Sequence, residues 1–317
     1  MNIYFRLASP LAFLILFSSC NHKDILWDHT PTARTKVVFD WRNAPDADPA
    51  SMELCMYPYS GGNHLSYNIP GKDGGYIDIP EDSYDAICVN NDDLDWALYR
   101  NTNDENDFEV YTHDASELGA YKLLTNSIPR AEGSENERMA ATPGMAWSSR
   151  SDNISVKYNH EADNIITLYP EEIVCHYSVE IRDVQNISSA RGETVDGTLS
   201  GMAEGFHHGA RKTSDTPVTM PFILSVDAAN NSLTGEFLTF GECDSKEALH
   251  TLTVYLFLTD GQKWYYTFDV NVQVANAPDP RHVHIVVSGL KLPETAPHDG
   301  LIPDVSDWQT EQIDLKM

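Results

Sequence analysis

The chain has 317 residues, and its 21 Lys and Arg residues against 48 Asp and Glu residues give a formal net charge of −27. Such an acidic surface repels polyanions, which excludes nucleic acid and a bare anionic bilayer as natural partners. The length suits two domains of about 150 residues each. After position 20, no apolar run is long enough to cross a membrane as a helix.

The first twenty residues have the pattern of an export signal. Arg6 precedes the apolar stretch Leu11–Phe17, which is too short to span a bilayer, and two serines then lead directly to Cys20. This arrangement resembles the bacterial lipoprotein signal, in which the Cys receives the lipid and becomes the first mature residue. We therefore predict a signal peptide at 1–19, lipidation of Cys20 and a polar tether at 20–33, which together attach the protein to the outer membrane at the cell surface. The alternative is an ordinary cleaved signal peptide with an incidental cysteine.

The first half of the mature chain is predicted to be a β-sandwich over residues 34–130. Turn-forming clusters such as Ser60–Asn63 separate alternating runs, and short strands about ten residues apart are typical of an antiparallel sandwich or barrel. Asp114–Glu117 has the pattern of a cap and predicts a short helix after it. The predicted strands are Thr35–Trp41, Met52–Tyr57, His64–Ile69, Gly75–Ile79, Tyr84–Asn90, Trp96–Arg100 and Phe108–Thr112.

The second half is predicted to be another sandwich over residues 153–317. Residues 131–152 are rich in Gly, Pro, Ser and charged residues, so they are predicted to link the two domains. The β pattern resumes at Ile165–Tyr169 and Ile173–Val184. The sequence has no alternation of strand and helix patterns, which argues against a nucleotide-binding parallel sheet.

A hairpin near the C-terminus is the clearest local pattern in the chain. The dipeptide Asp260-Gly261 supplies a tight turn with positive φ between two alternating runs. The alternation predicts that Leu256 and Phe268 point into the core of the second domain. The first run alternates through Leu252, Val254, Leu256 and Leu258, and the second through Trp264, Tyr266, Phe268, Val270 and Val272. Further strands are predicted at Val283–Val287 and from Trp308 to Ile313, Leu315 and Met317.

Four cysteines remain once Cys20 is assigned to the lipid. Cys55 and Cys88 lie in the first half, and Cys175 and Cys243 lie in the second. An exported protein meets an oxidising environment, so each half could hold one disulfide. The alternative is that all four are unpaired buried thiols that pack as small hydrophobes. No C-x-x-C or mixed Cys and His spacing predicts a metal site.

Histidines give the strongest metal-like patterns. His282 and His284 are two residues apart in a predicted strand, so both lie on one face, and neutral imidazoles are zinc ligands. Val283 and its alternate neighbours occupy the core face, so we interpret the two histidines as the solvated outer face of that strand. The adjacent pair His207-His208 is flanked by glycines and is interpreted as a polar loop. No metal ion and no cofactor are predicted.

The acidic segment Asn101–Asp107 is dense in oxygen atoms that could bind calcium. An EF-hand loop starting at Asn103 would need Gly and Glu at positions now held by Phe108 and Asp114, so this match fails. We interpret the segment as a solvated loop. The same interpretation applies to the nearby acids Asp92, Asp93 and Asp95.

No residue pattern in the sequence matches a catalytic motif. Ser200-Gly201 lacks the Gly that a nucleophile elbow needs two residues before the Ser, since Thr198 is there. Cys175 and His176 are neighbours in a predicted strand and point to opposite faces. The chain is therefore predicted not to be an enzyme, and no catalytic residue is assigned.

Tyrosines are the remaining candidates for a binding surface. They supply rigid contact area at interfaces, but they are equally common in cross-strand pairs on any sheet. We leave both interpretations open and assign no binding residue. The clusters are Tyr57, Tyr59, Tyr67 and Tyr76 in the first half and Tyr255, Tyr265 and Tyr266 in the second.

Several short segments, taken in order, resemble a family of Bacteroidales lipoproteins related to the fimbrillin-associated anchor proteins. They cover nearly the whole mature chain, although each is short. The segments are Val37–Asp46, Tyr84–Asn91, Pro129–Gly133, Leu199–Ala203 and Val305–Trp308.

The resemblance implies an all-β fold of two tandem transthyretin-like, Greek-key antiparallel β-sandwich domains. It also implies a lipid at the N-terminus and a structural role in adhesive, fimbria-like fibres, and it brings no catalytic residues. Fimbrial subunits that join by strand addition would then be the partners, and Ile313–Met317 is the strand we expect to take part. The alternative function is a surface glycan-binding lipoprotein of a nutrient-uptake system.

Overall fold

The computed structural model describes residues 31–91, 95–245, 248–295 and 307–313. Within these ranges the chain forms short strands, a 3₁₀ turn at Ile187–Ser189 and one helix, α1 (Asn271–Ala275). The predicted all-β fold class is confirmed. The strands are β1 (Thr32–Phe39), β2 (Ser51–Pro58), β3 (Leu65–Pro70), β4 (Gly75–Pro80), β5 (Asp82–Asn90), β6 (Ala97–Arg100), β7 (Glu109–Thr112), β8 (Glu117–Leu118), β9 (Leu123–Leu124), β10 (Arg138–Met139), β11 (Trp147–Val156), β12 (Asn164–Leu168), β13 (Glu171–Glu172), β14 (Cys175–Arg182), β15 (Thr194–Ala203), β16 (Gly205–His207), β17 (Lys212–Thr213), β18 (Pro217–Asp227), β19 (Ser232–Thr239), β20 (Thr251–Phe257), β21 (Lys263–Asp269), β22 (His282–Ser288) and β23 (Trp308–Ile313).

The N-terminal half is a sandwich of two sheets. One has the strand order β13-β11-β5-β2-β3 and the other β12-β1-β4. The alternate residues of β1 are buried, as expected for a strand with one face on a core. Val37 of β1, Leu54 of β2 and Leu168 of β12 are fully buried in the same cluster, so the two sheets share one core.

The strand pairing corrects the predicted linker at 131–152. β10 pairs in parallel with β18 of the C-terminal half, whereas β11 begins at Trp147 and pairs antiparallel with β5 of the N-terminal sheet. β12 then pairs in parallel with β1. Consequently the N-terminal sandwich includes residues well beyond 152. The Ser-rich start of β11 looks like a linker in sequence, but Ser148 and Ser149 are buried because that strand lies inside a sheet.

The C-terminal half is one continuous sheet that folds over a single core. Its strand order is β22-β14-β19-β18-β15-β20-β21-β23, with β10 also paired to β18. The predicted hairpin is β20 and β21, in which Leu252 lies opposite Phe268. Gly261 has the positive φ of 89° that its turn requires. Leu256 and Phe268 are both fully buried in the core cluster, as the alternation predicts.

The two halves are joined by an antiparallel sheet with strands from both halves and by a covering segment. β6 and β7 from the first half pair with β16 and β17 from the second. The helix predicted after Asp114–Glu117 is wrong, because this segment forms the β8–β9 hairpin. Leu118 is fully buried beside Tyr255 of β20. The hairpin turn is fixed by the buried Asp196, whose carboxylate accepts hydrogen bonds from the backbone N–H groups of Ala120 and Tyr121.

The four cysteines of the described ranges are unpaired thiols, so of the two arrangements that the sequence left open, the structure has unpaired thiols and not one disulfide per half. Cys55, Cys88 and Cys243 are buried and Cys175 is partly buried. Burial raises the pKa of the Cys55 thiol to about 12 and that of Cys88 to about 11. The thiols are therefore neutral and pack as small apolar groups.

The outer edge of β22 is closed by a side chain of α1. The amide oxygen of Gln273 accepts a hydrogen bond from Val286 N–H at 2.8 Å, and its amide nitrogen donates to Val286 C=O at 2.9 Å. An unpaired strand edge is a template for association with another chain. The Gln273 amide occupies both backbone groups at the middle of this edge.

We expect Gln273→Ala to lower the free energy of unfolding by about 1–2 kcal/mol, because two hydrogen bonds are lost. The exposed edge should also increase self-association at high protein concentration. Urea unfolding and light scattering measure the two effects. Val272→Ala is the matched control, since Val272 is on the same helix and 51% exposed. Equal behaviour of the two variants would contradict the proposed edge closure.

Candidate interaction site at the C-terminal strand

The last described strand closes the far edge of the C-terminal sheet. β23 pairs in parallel with β21 along its whole length, from Lys263 opposite Trp308 to Phe268 opposite Ile313. The predicted last strand is therefore present over 308–313, and residues 314–317 lie outside the described ranges. Without β23, the backbone groups on the outer side of β21 would form an open sheet edge.

Trp308 is the aromatic anchor of this strand. Its ring contacts Tyr255, Phe257 and Tyr265, with centroid distances of 5.6, 5.8 and 6.4 Å. Tyr255 is buried beneath the 114–141 segment, and its hydroxyl donates to the carbonyl of Pro129 at 2.7 Å. Burial raises the pKa of Tyr255 to about 12, so this hydroxyl remains a donor.

The anchor lies outside the main core of the C-terminal half. Trp308 packs on the small cluster that contains Leu118 and Tyr255, whereas Leu256 and Phe268 belong to the large central cluster. Removal of β23 would thus break one backbone ladder and one set of ring contacts without opening the central core. β23 is therefore a peripheral strand of the C-terminal sheet.

The predicted lipid site at Cys20 and the tether up to residue 30 lie outside the described ranges. The first described strand begins at Thr32. Within the described ranges, no helix has the length and apolar composition needed to cross a bilayer.

The histidines of β22 lie on its outer face, as the sequence predicts. His282 and His284 are exposed while Val283 is buried. The sequence reasoning missed a third histidine: His176 of β14 lies directly opposite His282, because β14 and β22 are parallel neighbours. The two rings are stacked with centroids 5.2 Å apart. No local sequence pattern could have placed His176 beside His282, since β14 and β22 are far apart in the chain.

The interpretation of His207-His208 as a polar loop is wrong. His207 ends β16, and His208 is buried with its ring 4.7 Å from that of Phe108. Burial lowers the pKa of His208 to about 3, so its imidazole is neutral. Its Nδ1 is 2.9 Å from the Ser148 hydroxyl, which makes it a packing residue between the two halves.

The other predicted groups do not converge on a reaction centre. Ser200 is buried, and its hydroxyl donates to the Leu249 carbonyl at 2.7 Å. His176 Nε2 contacts Glu172 at 2.7 Å, whereas the neighbouring Cys175 thiol is directed to the Phe240 carbonyl. Asn101–Asp107 is a largely exposed turn, while Asp92 and Asp93 lie outside the described ranges. Among the described residues, no group of three His, Cys, Asp or Glu side chains is arranged around a common metal position.

The tyrosine clusters do not form one exposed platform. In the first half, Tyr57 is buried, whereas Tyr59 and Tyr76 are about half exposed. Tyr76 belongs to the β12-β1-β4 sheet, which packs against the sheet that contains β2 and β3. The Arg34 guanidinium covers the Tyr76 ring at 4.3 Å. In the second half, Tyr255 and Tyr266 are buried cross-strand residues. Their role is packing, in line with the cross-strand interpretation.

These features define an all-β protein with two strand-built halves, in which the chain's own residues cover the edges of β22 and β21 in the C-terminal sheet. The chain belongs to the family described as Domain of unknown function (DUF5119), whose model matches residues 19–223. No curated protein matches the chain.

Solved structures share the fold. A candidate adhesin from Bacteroides ovatus superposes with a TM-score of 0.62 at 20% identity, covering 88% of this chain and 99% of that one. The fimbrial anchor protein Mfa2 from Porphyromonas gingivalis gives a TM-score of 0.48 at 11% identity, covering 80% of this chain and 90% of its own. A candidate polysaccharide-binding protein from Bacteroides thetaiotaomicron gives 0.48 at 12% identity, with coverage of 81% and 91%. The first of these establishes the likeness in fold.

Proposed function

We propose that this protein is a lipid-anchored protein of the outer membrane that holds or joins an adhesive, fimbria-like fibre and does not act as an enzyme. The observation that carries the proposal is β23, a peripheral strand that closes the sheet edge at β21. The Bacteroides ovatus protein of like fold is a candidate adhesin, which agrees with this role. The N-terminal pattern before Cys20 supplies the attachment to the membrane.

The proposed contact is strand addition at the β21 edge. Pairing through main-chain N–H and C=O groups supplies much of the affinity in this mode, and side-chain pockets supply specificity. β23 covers six residues of the β21 edge, Lys263–Phe268. The rings of Tyr255, Phe257 and Tyr265 surround one aromatic side chain there, that of Trp308. A fibre subunit could replace β23 there, or β23 could enter a subunit.

The lipid on Cys20 would hold the other end of the chain. A single acyl chain binds a membrane marginally, whereas two or more hold a protein firmly, since each buried CH₂ contributes about 0.8 kcal/mol. The predicted tether at 20–33 would then separate the membrane surface from β1. In this arrangement the N-terminal sandwich faces the membrane and the C-terminal sheet faces the fibre.

Two variants test the two ends separately. Cys20→Ala should release soluble protein, because the acylation site is lost, and fatty-acid labelling of the wild type should mark the membrane-bound protein. Deletion of residues 307–317 should leave the protein on the membrane but abolish its association with fibre subunits. Cell fractionation and co-purification of cross-linked subunits measure the two results.

The deletion is informative only if the C-terminal half still folds, which circular dichroism and thermal unfolding establish. Trp308→Ala is the companion variant, since it removes the ring anchor and leaves the backbone ladder. The proposed anchor role would be wrong if cells with the folded deletion variant still display normally anchored fibres, or if the intact protein never co-purifies with a fibre subunit. Glycan binding would then be the better-supported function. Absence of fatty-acid incorporation would overturn the anchor at Cys20.

A further inference from the structure

The smaller sheet of the N-terminal half presents a mixed cationic and apolar face to solvent. Arg34 and Lys36 of β1 are exposed, whereas the alternate residues of that strand are buried. In the strand register, Lys36 lies between Ile165 of β12 and Tyr76 of β4. The Ile165 side chain is 69% exposed and that of Tyr76 is 53% exposed. A row across this sheet therefore exposes one charged and two largely apolar side chains to solvent.

Two pairs of an arginine and a tyrosine belong to the same face. The Arg34 guanidinium lies over the Tyr76 ring, 4.3 Å from its centroid. The Arg42 guanidinium lies 4.9 Å from the ring centroid of Tyr169, which follows β12 and is also exposed. Each pair combines a positive charge with an exposed aromatic ring. The residues Arg34, Lys36, Arg42, Tyr76, Ile165 and Tyr169 are called the basic–aromatic face below.

The charge of this face differs from that of the chain as a whole. Arg34 lies opposite Asp78 in the strand register, and Arg42 is paired with Asp40. These two carboxylates stand against the three cations of the face, whereas the whole chain has a net charge of −27. An anionic surface therefore repels the rest of the protein but not the basic–aromatic face.

The face adjoins the point where the predicted tether enters the fold. The tether leads directly into β1, which begins at Thr32. Arg34 is two residues further on, about 7 Å along an extended strand. Residues 21–31 span at most about 40 Å when fully extended. A lipid on Cys20 would therefore keep the start of β1 within that distance of the membrane surface.

We propose that the basic–aromatic face lies against the headgroup layer of the membrane that holds the lipid of Cys20, an inference that rests on the lipid anchor of the proposed function. Tyrosine rings favour the interface between lipid and water because they are amphipathic. Lys and Arg side chains suit the same layer, since their stems pack on apolar groups while their charges reach the phosphates. The lipid supplies the attachment, and the face sets which side of the N-terminal sandwich is turned to the membrane.

Fluorescence quenching of the full-length lipidated protein tests this contact. Ile165→Cys carries a fluorophore on the basic–aromatic face, and Ile223→Cys carries it on β18 of the C-terminal half, where Ile223 is also exposed. Each protein is reconstituted in vesicles of phosphatidylethanolamine and phosphatidylglycerol that include a lipid with a nitroxide on its headgroup. We expect loss of most of the fluorescence at position 165 and little loss at position 223. Wild-type protein taken through the same labelling corrects for the native thiols, which are buried or partly buried.

A charge reversal on the face tests whether the contact depends on its cations. Lys36→Glu should weaken the contact at least about fivefold, because a cation near an anionic membrane surface is replaced by an anion, and the quenching at position 165 should fall accordingly. Lys291→Glu is the matched control, since Lys291 is an exposed lysine of the C-terminal half and the change in charge is the same. Equal quenching in the two variants would overturn the proposal.

The remaining outcomes separate this inference from the lipid anchor itself. Protein that sediments with the vesicles but keeps its fluorescence at position 165 overturns the membrane contact and leaves the anchor intact. Protein that carries no fatty acid and stays in solution overturns both. Fluorescence at position 165 that changes with protein concentration in vesicles without nitroxide would show that a second copy of the chain covers the face, and this result also overturns the proposal.

Discussion

Replacement of Phe268 by Ala should lower the free energy of unfolding by about 3–5 kcal/mol, the usual cost of truncating a buried aromatic residue. Phe268 is fully buried at the centre of the C-terminal core. It lies opposite Leu252 in the β20–β21 hairpin, so the cavity would open between two paired strands. Denaturant unfolding followed by circular dichroism measures the change.

Ile165→Ala is the control for this experiment, because Ile165 is 69% exposed and exposed substitutions usually change stability by less than about 0.5 kcal/mol. Leu256→Ala should behave like Phe268→Ala, with a cost of about 2–5 kcal/mol, since both side chains enter the same core. If Phe268→Ala is no more destabilising than Ile165→Ala, the hairpin register is shifted by one residue, which would turn the other face inward.

Replacement of Arg100 by Ala should be the most disruptive change at the junction of the two halves. The guanidinium of Arg100 donates to both carboxylate oxygens of Glu109, at 2.6 and 2.8 Å, and to Glu204 at 2.7 Å. The Glu109 carboxylate, and to a smaller extent that of Glu204, raises the pKa of Arg100 above its usual range. The Glu109 side chain is only 2% exposed, so the variant would leave a buried carboxylate without its bidentate partner.

Removing one member of a buried ion pair typically costs 3–5 kcal/mol. We expect a loss of about 3 kcal/mol, the lower end of that range, because Arg100 is itself 38% exposed and water can reach the space it leaves. Thermal and urea unfolding of the full chain measure the effect.

Arg182→Ala is the matched control for the Arg100 variant. Arg182 pairs with Glu180 at the surface and is 53% exposed, and such solvent-screened surface pairs contribute little to stability. A double-mutant cycle of Arg100 and Glu109 separates their interaction from the other effects of each substitution. Equal destabilisation by Arg100→Ala and Arg182→Ala would contradict a stabilising role for the junction.

The sequence by itself determined the features that depend on neighbouring residues. Alternation along the 252–272 stretch fixed the inward faces of Leu256 and Phe268, and Asp260-Gly261 fixed the turn between them. The spacing of short strands fixed the all-β class. These inferences succeed because side-chain direction alternates along a strand and turn geometry depends on the residues within the turn. The export pattern before Cys20 is local in the same sense and remains a prediction.

Only the tertiary structure decided which strands are partners. β11 joins β5, with Ser149 and Cys88 in contact across a separation of 61 residues, so the apparent linker lies inside a sheet. His284 meets Ser178 across 106 residues, and the same pairing brings His176 beside His282. The helix predicted after Asp114–Glu117 gives way to a hairpin because Leu118 is buried against the C-terminal sheet. Backbone hydrogen bonds between strands are the same for almost every residue type. The packing of the whole core therefore determines which distant strands pair.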